Sequence, residues 1–307
     1  MNPMKASAKT PGFDGPTRLP RDQDERRRWQ SANRAWWERT PMRYDWRKQL
    51  VPTPGSAAYF EEIDRRFLSA ARSFMPERTL PFDALIPFDA LAERDVLEIG
   101  IGQGTHAQLL SPRCKSYAGI DLTAAATEMT ARRLHLFCLP GAVFRMDAEA
   151  LAFRGESFDY VWSWGVVHHT ADTARALAEI RRVLRPGGEC TLMVYYRSWW
   201  SYYLFGLLRW LFLRRGGSTN SLHTAIQRGT DGTIARFYTP TDWRTLAGGL
   251  FAIDDFAVYG QKSDVVPLPA SRLKDRLIAL LPDPLARVLT HTMRMGSFLV
   301  IRMRKPA

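Results

Sequence analysis

The run VLEIGIGQGT, which begins at Val96, constrains this chain more than any other stretch. Val96, Leu97 and Ile99 are apolar strand formers, and Gly100, Gly102 and Gly104 follow at once. A buried strand must therefore end in a sharp turn that a ligand can approach without meeting a Cβ. The stretch from His106 to Leu110 then reads as the start of a helix. Strand, glycine turn and helix N-terminus in that order make an anion-friendly cradle at the edge of an α/β sheet. A dinucleotide fingerprint G-x-G-x-x-G needs glycine at position 105, and Thr105 stands there. That substitution argues against the rival reading, an NAD-dependent dehydrogenase.

Downstream, short apolar runs alternate with helical stretches, the pattern of a parallel sheet with crossover helices. The spacing predicts strands at 96–99, 115–120, 142–146, 158–162 and 189–195, with helices at 124–137 and 174–184 between them. Two further strands are expected at 251–259 and 297–303, giving seven in one doubly wound, mostly parallel α/β sheet. Upstream, Trp29, Trp36, Trp37 and Trp46 mark a helical, Trp-rich segment interrupted at Pro41, and a second helix is predicted from Ala57 to Phe74. The expected organisation is a mobile tail at 1–24, a helical cap at 25–90 and the α/β domain at 91–307. Two insertions interrupt that domain. One, at 199–240, follows the fifth strand and is the candidate substrate lid; the other, at 261–295, is expected to be helical, with Leu273 to Arg294 read as a packed helix pair broken at Pro282 and Pro284.

Net charge is +12, from 43 basic against 31 acidic residues, so the surface should attract anions, whether nucleic acid, anionic lipid or an acidic small molecule. Cys114, Cys138 and Cys190 have no spacing that suggests a zinc site or a disulfide framework, which fits reduced thiols in the cytoplasm. No metal is expected. The most apolar stretch, Trp199 to Leu213, carries Arg209 and falls short of the roughly 20 residues a spanning helix needs.

Asp121 stands about 20 residues beyond the glycine turn, at the end of the second strand, where a carboxylate can accept from both hydroxyls of a ribose. It can equally cap the next helix. Asp147 and Ala148 close the third strand, where an adenine ring would lie, although a turn residue explains Asp147 as well.

These residues, with Glu98, Gly119-Ile120, Phe158-Asp159, Gly165 to His169 and Leu184-Arg185-Pro186-Gly187-Gly188, resemble the successive motifs of the class I S-adenosylmethionine-dependent methyltransferases. They run in the family's order from Asp95 to Tyr195, about a third of the chain, and are nearest the branch that methylates small molecules and lipid quinones. The resemblance implies a Rossmann-like methyltransferase fold whose last strand is antiparallel, and S-adenosylmethionine as cofactor. It implies that the glycine turn holds the methionine end, Asp121 the ribose and Asp147 the adenine amine, with Glu98, Thr105, Leu122, Ala148 and Trp164 completing the cofactor site.

Positioning supplies much of the rate in methyl transfer, and what remains is to deprotonate the acceptor. His168 and His169, just past the fourth strand, are the candidate catalytic bases; the alternative is that they only bond backbone and shape the pocket. Tyr196, Arg236 and Tyr238 are the candidate acceptor contacts. Trp164-Gly165-Val166-Val167 replaces the Asn/Asp-Pro-Pro-aromatic motif of enzymes that methylate exocyclic amines, which argues against nucleic acid despite the charge. The expected acceptor is an apolar small molecule or lipid-like compound, methylated on oxygen or carbon. An RNA methyltransferase and a methyltransferase-like binding protein without transfer activity are the alternatives. WWSYYLFGLLRWLFLRR from Trp199 is either a buried helix or an interfacial one making peripheral membrane contact through 199–215, and the Trp-rich segment either packs as core or closes over the cofactor with Tyr44 or Trp46.

Overall fold

The structure is a computed structural model, described here for residues 10, 12–44, 50–72, 74, 75, 79–214, 221–266, 268 and 271–307, without the side chains of 212–214. Two helices lead in. Helix α1 (Gln23–Arg39) starts at Asp22, whose carboxylate accepts from Glu25 N at 2.7 Å, and stops just before Pro41. Helix α2 (Ala57–Arg72) buries Phe60, Ile63, Phe67 and Ala71 along one stripe. The alternation follows as β1 (Asp95–Ile99), α3 (Thr105–Leu110), β2 (Ser116–Asp121), α4 (Ala124–Leu136), β3 (Ala142–Arg145), β4 (Phe158–Trp164), α5 (Thr173–Val183) and β5 (Leu184–Tyr196). Beyond β5 come a π-helical turn (Trp199–Leu204), α6 (Phe205–Arg214), α7 (Leu222–Gln227), β6 (Phe237–Tyr238), α8 (Pro240–Ala247) and β7 (Ala252–Tyr259). The chain ends through α9 (Lys262–Val265), α10 (Arg272–Leu280), α11 (Asp283–Arg287) and β8 (Phe298–Arg304).

The strand order is β3-β2-β1-β4-β5-β8-β7, with β8 antiparallel to both its neighbours. The doubly wound, mostly parallel Rossmann-like methyltransferase sheet is thus present. An eighth strand was not expected: β6, two residues long, runs parallel beside the end of β5. One core cluster fills the face under α5 and α8, with Leu97, Ile99, Leu192 and Trp243; the other fills the face under α2 and α3, with Val96, Phe67, Trp162 and Met193. Neighbouring residues of β1 and β5 enter opposite clusters because side chains alternate along a strand. Strand order reverses between β1 and β4, so the crevice for a ligand opens beyond their carboxyl ends.

Two expectations need correction. Residues 12–22 do not behave as a free tail, because Phe13 is buried against Trp29, Ala171 and Ile234 and the backbone is tied down. Phe237 N donates to Pro16 O and Arg236 Nε to Arg18 O, both at 2.8 Å. Composition alone conceals the anchoring power of one phenylalanine in a Pro- and Gly-rich stretch. The helix pair expected at 273–294 is present as α10 and α11, broken at Pro282, but only α11 is packed, through Ala286; α10 buries none of its residues.

Candidate active site

The glycine turn closes on the second strand: Gly100 N and Ile101 N both donate to Ile120 O, at 2.8 and 3.3 Å. Gly100 has φ +82°, and a Cβ there would lie 2.1 Å from Val166 Cγ2, so the turn and the loop after β4 press together. Gly102, at φ +53°, is the opposite case, since a Cβ would meet nothing within 4 Å and would enter the cavity that Gly102 lines. That cavity holds about 560 Å³. Asp121 faces the turn. Its Oδ2 accepts from Gly102 N at 3.3 Å, and its Oδ1 accepts from the Thr123 amide and hydroxyl at 3.0 and 2.8 Å. Burial pushes its carboxyl up from the usual range, against the pull of the Thr123 and Gly102 donors. The alternative role as helix cap falls to Thr123, whose side chain accepts from Ala126 N; Asp121 lines the cavity and holds Thr123 in place.

Thr105 and Leu122 also line the cavity. Thr105 Oγ1 donates to Asp64 Oδ1 at 2.7 Å, and Asp64 in turn pairs with the buried Arg133, whose Nη1 donates to Gln103 O at 2.9 Å. Helices α2 and α4 thereby brace the glycine turn from behind. Gly104 and Glu98 stand in that brace and not on the cavity wall. A Cβ at Gly104 would meet Arg133 and Thr130. Glu98 is 1% exposed, accepts from Tyr117 Oη at 2.6 Å, and is pushed up to about 8 by burial. Strand alternation explains the displacement, because Glu98 points to the face of β1 that carries the α2/α3 cluster.

At the end of β3, Asp147 and Ala148 line the cavity. Asp147 Oδ1 accepts from Gln30 Nε2 at 2.7 Å and from Glu149 N at 2.9 Å. Gln30 belongs to α1, and with Asn33 and Trp37 it presents one polar-aromatic face to the cavity. Asn33 is 3% exposed; its Nδ2 donates to His169 O at 2.9 Å while its Oδ1 has no partner. Sequence reasoning fixed on the tryptophans and missed Gln30 and Asn33, although amides at i and i+3 on the same face as Trp37 at i+7 were a usable signal. Tyr44 lines the cavity; Trp46 lies outside the described residues.

The two histidines separate. His169 lines the cavity, and its Nδ1 sits 2.5 Å from Ile234 O. A carbonyl only accepts, so Nδ1 carries the proton and Nε2 is the basic nitrogen of the neutral ring. His168 is off the cavity, fully buried between the rings of His169 and Tyr195 at 4.1 and 4.0 Å, and burial holds its imidazole well below the ordinary range. His168 is thus placed as a neutral core residue.

The expected acceptor contacts need the same correction. Tyr196 and Tyr238 belong to the opposite core cluster, where Tyr238 Oη donates to Thr173 Oγ1 at 3.0 Å. Arg236 is fully buried and donates to the carbonyls of Thr170, Ala171 and Arg18, fixing the histidine loop to the N-terminal segment. One position along β5, Tyr195 faces the cavity instead. The far wall is mostly apolar, with Met42, Phe67, Phe74, Trp164, Met193 and Phe298. Asp264 is its buried carboxyl; it accepts from Ser297 Oγ at 2.6 Å and is pushed up to about 6 by burial. None of 199–211 lines the cavity, whereas Gly229 and Asp231, later in the 199–240 insertion, do; the insertion meets the cavity through that later stretch and not through its aromatic helix.

The cavity fits S-adenosylmethionine: an open backbone turn at Gly102 can take the amino-acid end, and a carboxylate at Asp121 stands beside it for sugar hydroxyls. A sequence model described as Methyltransferase domain matches residues 97–192. Phthiotriol/phenolphthiotriol dimycocerosates methyltransferase 1 of Mycobacterium ulcerans is 44% identical over 96 residues, 30% of this chain and 34% of that protein. The tRNA U34 carboxymethyltransferase of Methylococcus capsulatus is 37% identical over 103 residues, 33% of this chain and 32% of its own. This chain therefore matches about a third of the length of these relatives. The crystal structure of a SAM-dependent methyltransferase from Methanosarcina mazei superposes with a TM-score of 0.51 at 20% identity, over 72% of this chain and 98% of that one. Residues 97–192 form a methyltransferase domain, and the fold built around it is that of the class I S-adenosylmethionine-dependent methyltransferases.

Proposed function

We propose that the protein transfers a methyl group from S-adenosylmethionine to oxygen or carbon of an apolar, lipid-like acceptor. One observation carries this reading: a single cavity runs from Gly102 and Asp121 to a wall of Phe67, Phe74, Met193 and Phe298, with His169 on its lining. Gly100 to Gly102 hold the amino-acid end of the cofactor, Asp121 the ribose, and Asp147 with Ala148 the adenine. The cofactor, when bound, supplies an electrophilic methyl group on a sulfonium. His169 would take the proton of the acceptor O–H or acidic C–H at Nε2. The apolar wall excludes water and aligns the acceptor, the larger share of catalysis where the reagent is already activated. The mycobacterial relative, named for phthiotriol and phenolphthiotriol dimycocerosates, supports the acceptor class.

The test has two readouts. Calorimetric titration with S-adenosylhomocysteine should show binding, and none at millimolar ligand overturns the cofactor site. Incubation with methyl-tritiated S-adenosylmethionine and either a total lipid extract or total RNA should put label in the organic phase. Label confined to RNA overturns the acceptor reading.

A further inference from the structure

The two insertions share a property that no other part of the surface has. Of the fourteen large hydrophobic side chains exposed among the described residues, eleven lie between Trp199 and Met293, five in the first insertion and six in the second. A soluble surface scatters such residues; a cluster of this kind marks an interaction site. Helix α6 is turned inside out. Leu207, Leu208 and Leu211 face solvent, whereas Arg209 is half-buried against Gly229, where a Cβ would meet its guanidinium. Helix α10 carries Leu273, Leu277 and Leu280 at 58, 40 and 78% exposure, one exposed stripe at helical spacing. Arg272 and Arg276 of the same helix are exposed, as is Arg294 beside Met293.

The insertions are joined to each other and to the cavity. Trp199 Nε1 donates to Met293 O and Trp200 Nε1 to Asp264 O, both at 3.0 Å, and Asp264 lines the apolar end of the cavity. No helix among the described residues is long and apolar enough to cross a membrane.

We propose that the exposed faces of α6 and α10 form a docking face that lies on an anionic lipid bilayer. Leucine and tryptophan enter the headgroup boundary while arginines meet lipid phosphates, the arrangement that holds amphipathic helices in an interface plane. Charge decides the occupant. Over 199–215 and 271–294 together the sequence has eight arginines and lysines against two aspartates, so a second copy of this face would meet like charge, whereas an anionic bilayer complements it. Docking would bring the apolar end of the cavity to the lipid phase, and that link to catalysis rests on the acceptor reading above.

The full chain should co-sediment with phosphatidylcholine vesicles that contain phosphatidylglycerol, and more weakly with phosphatidylcholine alone or at raised salt. Leu208→Glu with Leu211→Glu should lower that binding by about tenfold or more while affinity for S-adenosylhomocysteine stays unchanged. Absence of binding by the unaltered protein overturns the proposal, and so does equal binding by the double variant. A concentration-dependent dimer in light scattering that the double variant abolishes also overturns it, in favour of a self-association face. Vesicle binding with no label transferred to lipid leaves the docking face standing and rejects the acceptor reading alone.

Discussion

The two ends of the cavity are built by different means. The cofactor end comes from one contiguous stretch, Ile99 to Ala148, where strand ends and a turn present backbone amides and two carboxylates. The acceptor end draws on α1, α2, β4, β5, α9 and β8, residues separated by more than two hundred positions, and it presents side chains. A site made of backbone tolerates little, because nothing can rotate out of the way; a site made of apolar side chains can repack. Substitutions at the two ends should therefore separate in both size and kind.

The largest effect is expected at Gly102→Leu, which fills open space that only backbone borders. Affinity for S-adenosylhomocysteine should fall at least about a thousandfold, roughly 4 kcal/mol. Near-normal affinity by calorimetry would remove the distinction between the two ends. Next comes His169→Ala, which should lower turnover about a hundredfold while cofactor affinity changes little. His168→Ala should instead lower the melting temperature, because it empties a fully buried site. Equal turnover losses in the two variants would erase the separation drawn from their geometry. Asp121→Ala should weaken S-adenosylhomocysteine by about tenfold or somewhat more, the worth of charge-assisted hydrogen bonds to sugar hydroxyls.

A pH dependence probes the brace behind the glycine turn. Glu98 is held protonated by burial, with a carboxyl pushed from 4.5 up to about 8. Its contribution to stability is therefore complete below about pH 4.5 and is lost as pH rises through about 8, a few kcal/mol in order of magnitude. Glu98→Gln should flatten the melting temperature across that window; an unchanged slope would show that another group is responsible. The smallest effect is expected from Asn33→Ala. It deletes a buried oxygen without a hydrogen-bond partner and a bond to the histidine loop beside the cavity, and should cost about three- to tenfold in cofactor or acceptor affinity.

The motif series made the sheet, the glycine turn and Asp121 legible, because strand, turn and helix are short-range structures and their spacing is written in consecutive residues. Gln30 and Asn33 were not legible, since nothing near them in sequence says that α1 lies over β3 and the histidine loop. Tyr196, Arg236 and Tyr238 were misplaced for a related reason. Residue type suggests what a side chain can bind, but the parity of a strand and the path of a loop decide which way it faces. The segment at 12–22 shows the same limit, since its composition reads as unpacked until Phe13 finds Trp29 and Ile234.

By itself the sequence determined the α/β alternation, the open backbone at Gly102 and the acidic residue that ends β2, all set by steric rules over a few neighbouring positions. Only the tertiary structure decided which histidine meets the cavity, what forms the acceptor wall and which leucines are left uncovered. Those depend on contacts between residues far apart in the chain, and burial is a property of the folded neighbourhood, not of the residue.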